Sequence, residues 1–152
     1  MPRPQFAYLS AAALSVAALA QPAAADSAFV TKTSPHDVET TLDRIAAAVE
    51  ANGGKVFVRL DHAAAASDYN KSLRPTQVLI FGNPAAGTGL MDQNPLLAVD
   101  LPLKVMAYAE GEGSVVVYRK PETWALDHGL QKLAEGAGGT LDRLTDRAIA
   151  PE

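Results

Sequence analysis

The stretch from Ser34 to Leu60, SPHDVETTLDRIAAAVEANGGKVFVRL, contains the two side-chain periodicities that decide the fold. In its first half, apolar residues recur every three or four positions, which places them along one side of an α-helix. From Lys55 onward, apolar residues alternate with the period of a β-strand. The members of the helical stripe are Val38, Leu42, Ile45 and Val49. The stretch therefore predicts a helix followed directly by a strand.

Both ends of this helix carry residues that favour a boundary. We expect the Ser34 hydroxyl to cap the helix, with Pro35 at the first helical position, where its missing N–H has no partner to lose. Asp37 completes a capping-box pattern and complements the positive end of the helix. At the other end, Asn52-Gly53-Gly54 provides residues that adopt the left-handed conformation. The helix is therefore predicted to end there.

In the following strand, strict alternation assigns the side chains to two faces. The side chains expected on the core face are Val56, Val58 and Leu60. Phe57 and Arg59 are expected on the other face. Continuing the alternation places His62 on the core side, just beyond the end of the strand.

Further strand-forming stretches complete the sheet, and Pro121-Glu122 begins a last helical region. The other predicted strands are 29–33, 78–81, 103–109 and 114–119, the last two joined by a hairpin. The order is strand, helix, four strands, helix. Because the links are short hairpins with one helical crossover, the predicted fold class is α+β, with helices packed on one face of an antiparallel sheet.

Two segments have no clean periodicity. Residues 85–101 are interpreted as a long ordered loop with one or two helical turns. The glycine-rich stretch 136–139 is expected to interrupt the last helical region, leaving 141–149 as a final helix or tail. The residues expected on the buried side of that region are Trp124, Leu126, Leu130 and Leu133.

The first 25 residues are interpreted as a cleaved signal peptide. Arg3 precedes an apolar run too short to span a bilayer, and Ala23 and Ala25 supply small residues at a cleavage site. We therefore expect one domain over residues 26–152, in the periplasm or secreted, with no membrane span after cleavage.

Charge and composition exclude several classes of function. Without residues 1–25, 12 Lys and Arg stand against 17 Asp and Glu, a net charge of −5 that disfavours nucleic acid as a partner. The absence of cysteine excludes thiolate nucleophiles, thiolate metal sites and covalent haem attachment. Residues 78–88 resemble a phosphate-binding loop without its lysine, so we interpret them as a structural turn.

Two acid–imidazole pairs and one methionine are candidates for binding or acid–base chemistry. Asp61-His62 and Asp127-His128 pair a carboxylate with an imidazole, but neighbours in an extended strand point in opposite directions. Each histidine is also interpretable as a hydrogen-bonded structural residue. Met91 could ligate a soft metal or haem iron, or simply fill a gap.

An ordered series of short motifs resembles the bacterial and archaeal Domain of Unknown Function 302 family. The motifs are Asp61-His62-Ala63, Leu73-Arg74-Pro75-Thr76, 79–84, Gly87-Thr88, Leu90-Met91 and 100–104. The resemblance covers about residues 33–130, and leaves 131–152 as a C-terminal helix or tail. One departure is Gly89, where members often carry proline.

The resemblance implies an α+β domain of the TATA-binding-protein-like class and a homodimer, and leaves activity open. The signature positions make His62, Asp61, Arg74, Asn83, Thr88 and Met91 the candidate ligand-binding residues, with His62 also the candidate metal ligand. For Arg74, we expect contact with a loop or a carboxylate such as Asp100.

The leading interpretation is an exported homodimeric binding module that holds a metal, haem or small ligand near His62 and the loop from Asn83 to Met91. The alternatives are an enzyme that uses Asp61 and His62 as an acid–base pair, and a structural or adaptor dimer without a site.

The homodimer has a physical reason as well, since both faces of the sheet contain apolar residues and helices cover only one. The face assigned to the helices carries Val56, Val58, Leu60, Val78 and Ile80. The face left for a second copy of the chain carries Phe57, Leu79, Phe81, Met106 and Tyr108.

Overall fold

The computed structural model describes residues 28–151, and the predicted signal peptide lies outside them. Five antiparallel strands form one sheet in the order β1-β5-β4-β3-β2. Their bounds are Phe29–Ser34 (β1), Lys55–Asp61 (β2), Thr76–Gly82 (β3), Leu103–Glu110 (β4) and Gly113–Arg119 (β5). The α+β class and the order strand, helix, four strands, helix are confirmed.

Two long helices and three short ones accompany the sheet. They are α1 (Val38–Ala51), α2 (His62–Ser67), α3 (Pro84–Gln93), α4 (Glu122–Ala125) and α5 (Gln131–Ile149), with short 3-10 helices at Pro95–Val99 and Leu126–His128. Among residues 28–151, the structure contains no helix with the length and apolar character that a bilayer-spanning helix needs.

The main core lies between α1, α5 and one face of the sheet, here called the inner face. Leu42 and Ile45 of α1 are fully buried there. The inner face contributes Leu79, Phe81, Val105, Ala107 and Val116, and α5 contributes Leu141, Leu144 and Ala148. The predicted helical stripe therefore does bury its apolar side against the sheet.

The start of α1 differs from the prediction by three residues. Asp37 is the N-cap, and its carboxylate accepts from the Thr40 backbone N–H at 2.7 Å. Ser34 instead ends β1, where its buried hydroxyl lies 2.8 Å from that of Thr41. The C-terminal stop is confirmed, since Gly53 has a φ of 72°.

A β-bulge in β2 overturns the predicted faces of that strand. The register with β3 shifts between Val56, which packs on the inner core, and Val58. One extra residue reverses every later side chain. Val58 and Leu60 are thus 48% and 42% exposed on the opposite face, while Arg59 reaches Asp43 of α1.

The face opposite the helices, here called the outer face, also differs from the prediction. Leu79 and Phe81 are 1% and 2% exposed on the inner face, not on the outer one. Val78 and Ile80 alternate with them and therefore belong to the outer face. The helices pack against the side of β3 that carries Leu79 and Phe81. The apolar outer face comprises Val58, Leu60, Val78, Ile80, Met106, Tyr108 and Val117.

Both segments predicted to be irregular contain helix. Residues 84–93 form α3, which Asn83 caps and Pro84 begins. Helix α5 continues through residues 136–139, because its buried side, including Ala134 and Leu141, packs against α1, α4 and the sheet. Packing outweighs the low helix propensity of glycine there. The predicted break before α5 is present, with Gly129 at a φ of 69°, but Leu126 is exposed.

A polar cluster, here called the Lys32 cluster, ties β1 and β5 to α5. The ammonium of Lys32 donates to Asp142 Oδ1 at 2.9 Å, to Asp146 Oδ1 at 2.6 Å and to Thr145 Oγ1 at 2.9 Å. The Tyr118 hydroxyl donates to the same Asp142 carboxylate. The cluster holds the acidic residues of α5 on the side that faces β1.

Candidate functional site

A pocket of about 720 Å³ lies where β2 begins and β3 ends, between α1, α3 and α5. Residues of α1, including Val49, form one side, and the start of α3 forms another. Pockets that bind small molecules in proteins have volumes of about 300–1,000 Å³. The pocket is therefore large enough for a small organic ligand.

The floor and walls of the pocket are mostly apolar. Two aromatic rings, Phe57 and Phe81, come from β2 and β3. The aliphatic and thioether side chains come from α1, α3, α5 and the approach to β4: Val49, Leu90, Met91, Leu101, Leu103, Leu133 and Leu144. The β2 bulge contributes to this wall, because Phe57 is the residue it inserts.

A second buried cluster supports the wall formed by α3. Trp124 and Leu97 are buried, and Leu90 and Met91 pack against this cluster from the pocket side. Trp124 is the one tryptophan of the chain, so its fluorescence reports on this wall.

One side of the pocket is lined by one face of α5. Lys132, Gly136, Thr140, Arg143 and Arg147 follow one another at steps of 4, 4, 3 and 4. Such steps return to the same side of a helix. Lys132, Arg143 and Arg147 are exposed, and no Asp or Glu is among the residues that line the pocket.

The turn from β3 into α3 is fixed by Asn83. Its side-chain oxygen accepts from the backbone N–H groups of Ala85 at 3.0 Å and Ala86 at 3.3 Å. Pro84 has no N–H to offer. The start of α3 is thus already capped, and cations at the pocket come from α5.

Of the six predicted ligand-binding residues, Asn83 and Met91 line this pocket. Thr88 lies on α3, as Met91 does, but is exposed, and its hydroxyl donates to the Pro84 carbonyl at 2.8 Å. Gly87 lines the pocket beside Met91.

Asp61 and His62 lie at the junction of β2 and α2. The Asp61 carboxylate accepts from the backbone N–H of Ala64 at 2.9 Å and from Gln77 Nε2 at 3.1 Å. The hydrogen bond from Ala64 is the main reason that the pKa of Asp61 is lowered. His62 is exposed as the first residue of α2, not on the core side, because the bulge changes the phase of the strand.

Arg74 does not contact Asp100. Its guanidinium lies over the Tyr108 ring, 5.8 Å from the centroid, on the outer face of the sheet. Asp100 instead lies 3.1 Å from His128 Nε2 and 4.0 Å from Arg119. Of the two contacts expected for Arg74, a loop or a carboxylate such as Asp100, the one with Asp100 is wrong. His128 does have the structural contact considered for it.

The predicted single site around His62 and the loop from Asn83 to Met91 is not formed. In the antiparallel β2–β3 pair, Lys55 faces Gly82 at one end and Asp61 faces Gln77 at the other. Six residues of strand separate these ends by about 20 Å. His62 and Met91 are thus too far apart to ligate one metal ion or haem. Within residues 28–151, no group of three or more His, Asp or Glu side chains is placed to hold a metal.

The cationic face of α5 was missed from the sequence. Lys132, Arg143 and Arg147 lie at helical spacing, which is the signal that identifies them. Because the helix was expected to be interrupted at 136–139, Lys132 and the two arginines were assigned to separate segments. Residues on separate segments do not define one helix face, so the cationic face was not predicted.

Comparisons with known proteins give a family and a fold. The family model "Domain of unknown function DUF302" matches residues 30–148. Over 99 residues, 65% of the chain, the sequence is 39% identical to proteins named fluoride-specific ion channel FluC 1 from Brucella suis biovar 1 and Brucella abortus biovar 1. The chain spans only 39% and 37% of the length of these relatives.

A solved structure has the same fold. It is the crystal structure of an uncharacterised conserved DUF302 protein from Bacillus stearothermophilus, with a TM-score of 0.73 and 19% sequence identity. The similarity covers 80% of this chain and 98% of the other. At this identity, it supports the fold alone.

Proposed function

The chain belongs to the DUF302 family, a domain of unknown function, and we propose that it is an exported homodimeric binding module whose small ligand occupies the pocket between α1, α3 and α5. The observation that carries this proposal is the pocket itself, about 720 Å³ in volume and lined by Phe57, Phe81 and aliphatic side chains. An apolar concave site with a few polar groups at its margin suits an organic ligand. A metal or haem site centred on His62 has less support, because His62 is exposed and lies far from the pocket.

The test uses two glycines that differ in their relation to the pocket. Gly136 lines it, and Gly89 on α3 does not; a Cβ on either meets no atom within 4 Å. Both are helical, so replacement by leucine favours the helix in each case. We expect Gly136→Leu to fill the pocket and Gly89→Leu to leave it open.

The probe is N-phenyl-1-naphthylamine, an uncharged dye that becomes fluorescent in apolar sites. The wild-type protein and Gly89→Leu are expected to bind it saturably, and Gly136→Leu at least tenfold more weakly with unchanged circular dichroism. Equal binding by Gly136→Leu, or no binding by the wild type, contradicts the proposal.

The proposed dimer interface is the outer face. Val58 and Leu60 are about half exposed there, beside Val78, Ile80 and Met106. A second copy of the chain that packs face to face would remove this apolar area from water. Leu60→Lys is expected to change the mass in light scattering from dimer to monomer while the fold is kept. A monomeric wild-type protein at micromolar concentration would refute the dimer.

Export rests on residues 1–25, outside the described part of the chain. N-terminal sequencing of protein from the native host is expected to begin at Asp26. Protein that keeps Met1 and stays in the cytoplasm would contradict it.

A second candidate function is fluoride handling, which the named activity of the Brucella relatives favours. The test is ¹⁹F nuclear magnetic resonance of sodium fluoride titrated with the protein. Saturable broadening that chloride does not reverse supports this candidate, and an unchanged fluoride signal at millimolar concentration counts against it.

A further inference from the structure

We propose that the pocket is specific for a single-chain amphiphile with an anionic head group, whose head lies at Arg143 and Arg147 and whose tail lies along the apolar wall toward Met91. This inference rests on the proposed binding function and names its ligand class.

The first argument is the distribution of charge around the pocket. The chain has a net charge of −4, yet the residues lining the pocket include Lys132, Arg143 and Arg147 and no carboxylate. The acidic residues Asp142 and Asp146 of the same helix are held on the side toward β1 by Lys32. Helix α5 therefore presents opposite charges on two sides, and the positive side meets the pocket.

The second argument is that these cations are not neutralised within the protein. Among residues 28–151, the side chains of Lys132 and Arg147 have no hydrogen-bond or ion-pair partner, and that of Arg143 donates only to Thr140 Oγ1 at 3.2 Å. Guanidinium groups bind carboxylates and phosphates through paired N–H donors. Arg143 and Arg147, one helical turn apart, can thus approach one anionic head group together.

The third argument is the shape of the space. Fifteen residues of α5 separate Lys132 from Arg147, which corresponds to about 22 Å of helix. The part of the lining that other elements supply includes Phe57, Phe81 and Leu90. An apolar trough with two arginines near one end, and the single exposed Lys132 near the other, complements a chain with one anionic head group. A compact polar anion would leave most of the apolar wall without contacts.

The experiment compares four ligands that share a twelve-carbon chain, below their micellar concentrations, by isothermal titration calorimetry. Dodecanoate and lauroyl lysophosphatidate represent the free fatty acid and the monoacyl phospholipid, the two sources of this chemistry. Dodecanol and dodecyltrimethylammonium represent a neutral and a cationic head. We expect either or both anions to bind at least tenfold more tightly than dodecanol, and the cation to bind most weakly. The tighter of the two anions identifies the source.

The variants are Arg143→Gln and Arg147→Gln, with Lys71→Gln as the matched control. Lys71 is exposed and does not line the pocket, and its change removes the same charge. We expect each arginine variant to bind the anions about tenfold more weakly and dodecanol unchanged, and Lys71→Gln to resemble the wild type.

The two proposals fail in different ways. If dodecanol and the anions bind equally, and the arginine variants change neither, the head-group assignment is wrong while the binding module stands. If none of the four ligands binds, and the uncharged dye does not either, the binding function itself is wrong.

Discussion

Replacement of Lys32 by methionine tests how strongly the Lys32 cluster joins the sheet to α5. The side chain of Lys32 is 16% exposed, whereas those of Asp142 and Asp146 are 55% and 65% exposed. Each ion pair to such an exposed carboxylate contributes about 0.5 kcal/mol, and the hydrogen bond to Thr145 about 1 kcal/mol. Lys32→Met is therefore expected to lower the free energy of unfolding by about 2 kcal/mol.

The pH dependence of this loss follows from the directions of two pKa shifts. The hydrogen bond from Tyr118, and after it that from Lys32, lowers the pKa of Asp142 in the folded protein. The stability that Asp142 contributes is therefore present above its unfolded pKa, and it is lost as the pH falls through the lower folded pKa. For Lys32, burial acts to lower the pKa, but the hydrogen bonds with Asp146 and Asp142 outweigh it and raise the pKa. That contribution is complete below the unfolded pKa and is lost as the pH rises through the folded one. The difference between variant and wild type should be largest between about pH 5 and 9.

The assay is urea unfolding followed by the fluorescence of Trp124, at pH 7 and at pH 2.5. We expect the free energy of unfolding to fall by about 2 kcal/mol at pH 7, and by less in acid. Lys71→Met is the control, since Lys71 is exposed. A loss below about 0.5 kcal/mol at pH 7, or an equal loss at both pH values, would refute this account of the cluster.

Three further changes test the packing. Gly113→Ala places a Cβ 2.2 Å from the Ser34 carbonyl oxygen, a backbone atom, so we expect the free energy of unfolding to fall by more than about 2 kcal/mol in urea unfolding. An unchanged free energy would contradict the close contact of β1 with the hairpin between β4 and β5. Leu42→Ala removes a fully buried side chain and is expected to lower the free energy of unfolding by about 2–5 kcal/mol, measured by thermal unfolding. Leu126→Ala, at an exposed position, should lower it by less than about 1 kcal/mol, and equal losses in the two variants would contradict the described core. Asp37→Ala removes the cap of α1 and should cost about 1 kcal/mol, with an unchanged melting temperature as the opposing result.

The sequence was a good guide where one periodicity runs without interruption. Helix α1 has its stripe, its acidic N-terminal residue and its left-handed glycine in one continuous segment, so local rules located it closely. The order of strands and helices along the chain followed from alternation and turn residues in the same way. These features depend on neighbours in the sequence, and so neighbours predict them.

The prediction failed where distant segments decide the outcome. The bulge at Phe57 depends on how β2 pairs with β3, and no local signal marks the position at which the register shifts. The continuity of α5 through its glycines depends on its contacts with α1 and the sheet. The pocket combines residues from four parts of the chain, and the sequence identified only Asn83, Met91 and neighbouring residues among its lining.

The bulge in β2 has a further consequence for solubility. Strand β2 is an edge of the sheet, so its free backbone groups could pair with an edge strand of another molecule. A bulge next to Lys55 and Arg59 makes such an edge irregular and charged, which hinders the indefinite addition of strands. The exposed Val58 and Leu60 follow directly, and the irregular backbone before them keeps them from forming a long regular apolar edge able to nucleate aggregates. The residue that brings an aromatic ring to the pocket thereby also protects the protein from self-assembly through its open edge.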